Sequence, residues 1–123
     1  MRATKDEMAV ELEVGDIHTR GEEWGELSVR HIDLPAGADL RPLLAGLPED
    51  RCACPHWGYL LEGSITLRYA DGTEECTRAG DVYYWPGGHT GWTDEGVRFV
   101  EFSPAAEIQP VLAHLGAQLA PSS

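Results

Sequence analysis

The chain has 123 residues, enough for one core that removes about two-thirds of the unfolded surface from water and too few for two domains. Hydrophobic residues at 42% against 24% charged describe a soluble globular protein, and no apolar run nears the roughly 18 residues of a membrane span. Nine basic and 21 acidic residues give a formal net charge of −12, which repels phosphate backbones and anionic lipid, so neither nucleic acid nor a membrane is expected as partner.

The first seven residues, Met1 to Glu7, carry no hydrophobic segment of the secretory kind. Ala9 to Val14 alternates apolar and acidic residues, the pattern of a half-exposed strand. Glu26 to Leu34 is rich in strand formers and stops at Pro35, and a loop carrying Leu40, Leu43 and Leu44 runs to about Asp50. Cys52 to Glu62 and Ser64 to Tyr69 read as paired strands, with Glu62-Gly63 at the turn. Asp71-Gly72 has the composition of a type I′ hairpin turn, with Thr73 to Thr77 returning. After Ala79-Gly80-Asp81 comes a strand at Val82 to Trp85, a turn at Pro86-Gly87-Gly88, and a strand at Val97 to Ser103. Short strands between frequent turns predict an antiparallel sandwich or barrel. At the end, Ser103-Pro104 looks like a helix start, the serine as N-cap. Ile108, Val111, Leu112, Leu115 and Leu119 then fall at helical spacing over about 104–119, a stripe for packing on the barrel or on a partner subunit. Pro110 is expected to kink or restart this helix. Three cysteines, two nearly adjacent, suit a reducing compartment better than a disulfide framework, so a cytoplasmic location is expected.

Two segments carry a resemblance. One is Cys52-Ala53-Cys54-Pro55-His56-Trp57-Gly58-Tyr59-Leu60-Leu61-Glu62-Gly63; the other is Gly80-Asp81-Val82-Tyr83-Tyr84-Trp85-Pro86-Gly87-Gly88-His89. Together they resemble the two motifs of the cupin superfamily, the first ending in a Leu-Glu-Gly turn and the second running from Gly-Asp to Pro-x-Gly. The resemblance implies an all-β, small antiparallel jelly-roll barrel with a C-terminal helix, one domain over 1–123, its motifs at about 50–63 and 80–92. It also implies a homodimer and a pocket at the barrel mouth. Metal-binding members place two histidines and a glutamate in the first motif and a histidine in the second. Those positions fall here on Asp50, Cys52, His56 and Gly91, so none keeps its usual residue type.

The substitutes are still competent donors. Thiolate and imidazole bind zinc and iron, so Cys52, Cys54, His56 and His89 are candidate ligands of one divalent metal, zinc or iron, with a metal-free site as the alternative. Strand alternation puts Cys52, Cys54, His56, Gly58, Leu60 and Glu62 on one face, unless a turn near Pro55 breaks the parity. Leu60, Trp57, Tyr59, Tyr84, Trp85 and Trp92 are candidates to line the pocket, and core or interface packing explains the aromatic residues equally well. His56, His31 and Tyr84 are candidate acid/base groups, although a satisfied core histidine describes His31 at least as well. Cys76, among acidic residues, reads as inert, and Glu62 and Asp81 as turn residues. The functional expectation is a small organic molecule bound in the barrel and, with a metal, transformed by isomerase, lyase or dioxygenase-type chemistry. Its alternatives are a metal-free binding or sensory module, and a metal-independent enzyme with His56 as general acid/base.

Overall fold

A computed structural model describes residues 1–119, so 120–123 of the expected single domain lie outside the described residues. Eight strands follow one another as β1 (Ala9–Val14), β2 (Ile17–Trp24), β3 (Leu27–Leu34), β4 (His56–Tyr69), β5 (Glu74–Arg78), β6 (Val82–Trp85), β7 (His89–Trp92) and β8 (Val97–Pro104). A short helix α1 (Arg41–Leu44) lies in the loop after β3, and helix α2 (Ala105–Leu119) follows β8. All strand pairs are antiparallel. One sheet runs β1-β2-β3-β8-β4-β6; the other pairs the second half of β4 with β5 and β7.

Strand β4 belongs to both sheets, which corrects the expectation of two strands paired across Glu62-Gly63. Its register against β8 slips between Leu60 and Glu62, and Gly63 has φ +77°. A Cβ there would stand 2.0 Å from the Gly96 carbonyl oxygen, so only glycine lets the two backbones approach. The bulge also switches parity. Before it His56, Gly58 and Leu60 are buried; after it Ile65 and Leu67 are. The expected run from Cys52 to Glu62 on one face therefore fails at its end: Glu62 is exposed.

Other local expectations are revised by hydrogen bonding. At the hairpin tip Gly72 N–H donates to the Tyr69 carbonyl, Tyr69 N–H donates to Thr73, and only Gly72 has positive φ. This is a three-residue loop with a left-handed glycine rather than a type I′ turn. Ser103 does not cap α2: the helix begins at Ala105, and the serine hydroxyl is engaged elsewhere. Pro110 sits inside one continuous helix as its sixth residue, where its missing N–H leaves the Ala106 carbonyl without the usual i→i−4 bond.

The barrel interior holds Ile32, Leu34, Leu60, Ile65, Leu67, Trp85, Val97 and Phe99. Each such side chain, fully buried, is worth about 1.5–3 kcal/mol of transfer free energy. A second cluster joins Leu44, Cys52 and Cys54 to Ile108 and Val111 of α2, with Leu112 and Leu115 at its edge. The helical stripe is thus spent within the chain, closing the barrel end that carries Cys52.

Candidate metal centre

His56 opens β4 beside Trp85 of β6, its ring directed into the barrel. Cys52 lies in the preceding loop, tied to the start of β7: its N–H donates to the His89 carbonyl at 2.9 Å, and Gly88 N–H donates back at 2.8 Å. These ties bring Cys52 Sγ and one ring nitrogen each of His56 and His89 within 4.8 Å of one another, all three side chains buried. Cys52 Sγ stands 3.5 Å from His56 Nε2, and the two imidazole centroids are 5.0 Å apart.

Both rings are anchored through Nδ1. His89 Nδ1–H donates to the Pro86 carbonyl at 2.8 Å, which leaves its Nε2 a free lone pair, because a carbonyl only accepts. His56 Nδ1 lies 2.7 Å from Ser103 Oγ on β8, with Glu101 Oε2 at 3.6 Å. Anchoring one imidazole nitrogen in this way fixes the other for a metal. Burial, with Arg30 second, pushes the His56 pKa down to about 3, and burial, with His56 second, takes His89 down to about 4. Both rings are therefore neutral at pH 7, the form that ligates. Burial pushes the Cys52 thiol up to about 11, so it keeps its proton until a metal displaces it. Two imidazoles and a thiol, each with an open donor atom, fit a zinc or iron ion.

Behind His56 a polar row crosses the first sheet through directly paired positions: Gly21 on β2, Arg30 on β3, Glu101 on β8, Gly58 on β4 and Tyr83 on β6. Arg30 Nη1 donates to Glu101 at 3.2 Å, and the Tyr83 hydroxyl donates to the same carboxylate at 3.3 Å. Arg30 Nε donates to Glu11 at 3.0 Å. The glycines make the row possible. A Cβ on Gly58 would stand 2.5 Å from the Tyr83 hydroxyl, and one on Gly21 would stand 2.5 Å from a Glu11 carboxylate oxygen. Burial raises the Glu101 pKa while Arg30 opposes it, and burial likewise raises that of Tyr83.

The barrel encloses a cavity of about 100 Å³. Arg30, Cys52, His56, Trp85, His89 and Glu101 face it at one side, with Ile32, Ile65, Leu67 and Phe99 on the walls. Leucines of α1 and α2 complete the lining.

Of the candidate ligands, Cys52, His56 and His89 converge and Cys54 does not. Its thiol faces the Pro55 carbonyl at 3.4 Å and lies in the helix-side cluster, and burial pushes its pKa up to about 12. The loop ending at Pro55 breaks the alternation that would have aligned it with Cys52. Of the pocket candidates only Trp85 lines the cavity. Leu60 is wholly buried beneath the wall, and Trp57, Tyr59 and Tyr84 lie on the outer face, 43%, 44% and 52% exposed. Trp92 is held between the guanidinium groups of Arg41 and Arg68. His31 alternates with the cavity-lining Arg30 and Ile32, so it points outward beside Asp33. Neither His31 nor Tyr84 can exchange a proton with a molecule in the cavity. Glu101, Arg30 and Ser103 escaped the sequence reading as site residues, although alternation from Phe99 and Ile32 puts all three on the inward face.

No family profile matches the chain, and no curated protein does. Solved structures do. The polyketide cyclase RemF from Streptomyces resistomycificus superimposes with a TM-score of 0.62 at 17% identity, over 85% of this chain and 78% of that one. An RmlC-like cupin from Shewanella frigidimarina gives 0.58 at 18% identity, over 84% and 89%. Lactobacillus farciminis oxalate decarboxylase, in its formate complex, gives 0.59 at 18% identity, over 84% of this chain and 32% of that much longer one. The chain has the cupin fold: a jelly-roll barrel with a C-terminal helix. Its Cys/His/His cluster can hold a metal. Among the described residues, no helix is long and apolar enough to cross a membrane.

Proposed function

We propose that this cupin-fold protein binds a small organic molecule in the barrel cavity, beside a divalent metal held by Cys52, His56 and His89. The observation that carries the reading is the convergence of three buried donors within 4.8 Å, each imidazole already anchored through Nδ1. Three protein ligands leave a position for substrate, and a metal there supplies Lewis-acid polarisation of a coordinated oxygen. The chain's own residues do the rest. Ser103 holds the His56 ring, Pro86 holds His89, and the apolar walls exclude water from the bound molecule. One of the structural neighbours is, by its name, a polyketide cyclase, an enzyme of an organic substrate.

The test is elemental analysis of protein purified without a histidine tag, beside Cys52→Ala, His56→Ala and His89→Ala, with Cys54→Ala as a control. About one zinc or iron per chain, lost in the first three variants and kept in the fourth, is the expected result. No metal retained, and none taken up on addition, overturns the metal.

A second reading has its own observation. Cys52 Sγ already lies 3.5 Å from His56 Nε2, so a thiol-to-imidazole hydrogen bond satisfies both groups in a metal-free binding module.

A further inference from the structure

One polar atom on the cavity wall stands without a partner. Thr19 of β2 lines the cavity and is only 4% exposed, and its hydroxyl meets no hydrogen-bond partner among the described residues. The other polar side chains facing this space, Arg30, Cys52, His56, His89 and Glu101, all have one. Thr19 pairs with Leu12 on β1 and Ile32 on β3, so its surroundings on the sheet are aliphatic. A buried hydroxyl left dry costs free energy, and valine would give the strand the same branched shape without that cost. Native proteins satisfy such groups. Here the open side is the cavity, so what fills the cavity supplies the partner.

The place of Thr19 in the sheet limits what that partner belongs to. Strand pairing aligns Thr19 with Ile32 and Phe99, and the next inward row holds Arg30, Glu101 and Gly58. His56 lies one row further, on β4, with β3 and β8 between its strand and that of Thr19. The hydroxyl and the donor cluster therefore face one cavity from separate parts of its wall. Ile32 and Phe99 stand on the strands between them.

We infer that Thr19 is a ligand-binding residue. The molecule in the barrel carries a hydrogen-bonding oxygen remote from the atom that meets Cys52, His56 and His89, on an otherwise apolar skeleton. A threonine hydroxyl both donates and accepts, so a hydroxyl or a carbonyl serves. This rests on the proposed binding cavity, to which it adds a contact residue and a class of ligand.

The test uses hydroquinone and para-cresol, rings of similar size in which one hydroxyl is replaced by a methyl group. Each is titrated under argon into the full-length protein and into Thr19→Val and Thr19→Ser. NMR of the methyl groups of Ile32 and Leu67 reads both location and affinity. Hydroquinone can reach the donor cluster and Thr19 together, whereas para-cresol has one oxygen to place. The affinity ratio of hydroquinone to para-cresol is expected to fall about fivefold in Thr19→Val, the loss of one hydrogen bond, and to persist in Thr19→Ser. Without ligand, Thr19→Val should unfold at a urea concentration equal to or above that of the unaltered protein. A lower midpoint would mean that the hydroxyl already has a partner within the chain, which overturns its role in binding. A ratio that does not move in Thr19→Val also overturns that role and leaves the binding cavity standing, with water as the partner of the hydroxyl. If neither probe moves the methyls of Ile32 and Leu67, the cavity itself is not a binding site, and both readings fall.

Discussion

The hydroxyl of Ser103 lies 2.7 Å from Nδ1 of His56, so a residue with the composition of a helix cap orients an imidazole instead. Ser103 is the last inward-facing position of β8 and is fully buried, two residues along the strand from Glu101. Its hydroxyl faces the ring because α2 starts later, at Ala105, whose N–H is taken by the Glu26 carbonyl. Removing it leaves the ring free to turn away from Cys52 and His89. Ser103→Ala should therefore weaken zinc binding by about 10–100-fold, the usual cost of losing a group that orients a metal-bound histidine. Chelator competition measures it. Ser103→Thr, which keeps the hydroxyl, should recover most of the affinity; equal affinities in all three proteins would show that the contact has no part in metal binding.

Glu101 and Arg30 form a buried pair in which neither side chain is more than 5% exposed. Glu101→Ala strands the guanidinium of Arg30 with only Glu11 and should cost about 3–5 kcal/mol, read by urea unfolding. The double variant Arg30→Met with Glu101→Met should lose less than Glu101→Ala, because the one carboxylate left without its partner, Glu11, is partly exposed and within reach of water. A loss under about 1 kcal/mol in Glu101→Ala would mean that water reaches the pair and screens it.

Acid should act on the outside of the same sheet through Asp33. Burial alone would raise its pKa, but hydrogen bonds from Lys5 and Arg98 outweigh burial and hold the carboxyl below its ordinary value. A depressed carboxylate stabilises the fold fully above its unfolded pKa, near 3.9. That contribution is lost as pH falls through the lower folded value. Asp33→Asn should lower the urea midpoint at pH 7, and the difference from the unaltered protein should shrink below about pH 4. A difference that stays constant from pH 7 to pH 2 would exclude the charge as its source.

The family resemblance implies a homodimer, and one outer face of the first sheet is apolar and exposed. Trp57 and Tyr84 stack on the outer face with centroids 5.1 Å apart, and Tyr59 and Val82 extend the patch. We propose that a second copy covers this face. Tyr84→Glu should then convert a sedimenting dimer to a monomer without altering the circular dichroism spectrum. A monomer before any substitution would remove the proposal.

The order of strands was legible where side chains carry the signal. Ala9–Val14, Val82–Trp85 and the strand from Val97 are plain from their composition and turns, and so is the amphipathic stripe of α2. Strand β2 was not, because Ile17–Trp24 holds Arg20, Gly21, Glu22 and Glu23, residues poor in strand propensity. Its glycine answers to the passage of Glu11, a requirement set by two other strands. Strand β7 is four residues containing Gly91 and is held by pairing with β4. At the site, Cys52, His56 and His89 were visible as donors, but which cysteine joins the histidines depends on the turn at Pro55. Glu101 was the more accessible omission: it shares the parity of Val97 and Phe99, and a charged residue on an inward face always requires a partner.

The shared strand β4 makes the site sensitive to length more than to residue identity. His56 stands before the bulge at Leu60–Glu62 and the Ile65–Leu67 wall stands after it, with parity reversed between them. Leu61 is the extra residue, since Leu60 pairs with Phe99 and Glu62 with Arg98. Deleting it would remove the bulge and the parity shift together, so His56, Ile65 and Leu67 would keep their sides and only the local bend between the two sheets would be lost. An insertion between Leu60 and Ile65, with no second bulge to absorb it, has no such compensation: either His56 would swing to the solvent side with Trp57 taking its place, or Ile65 and Leu67 would leave the interior.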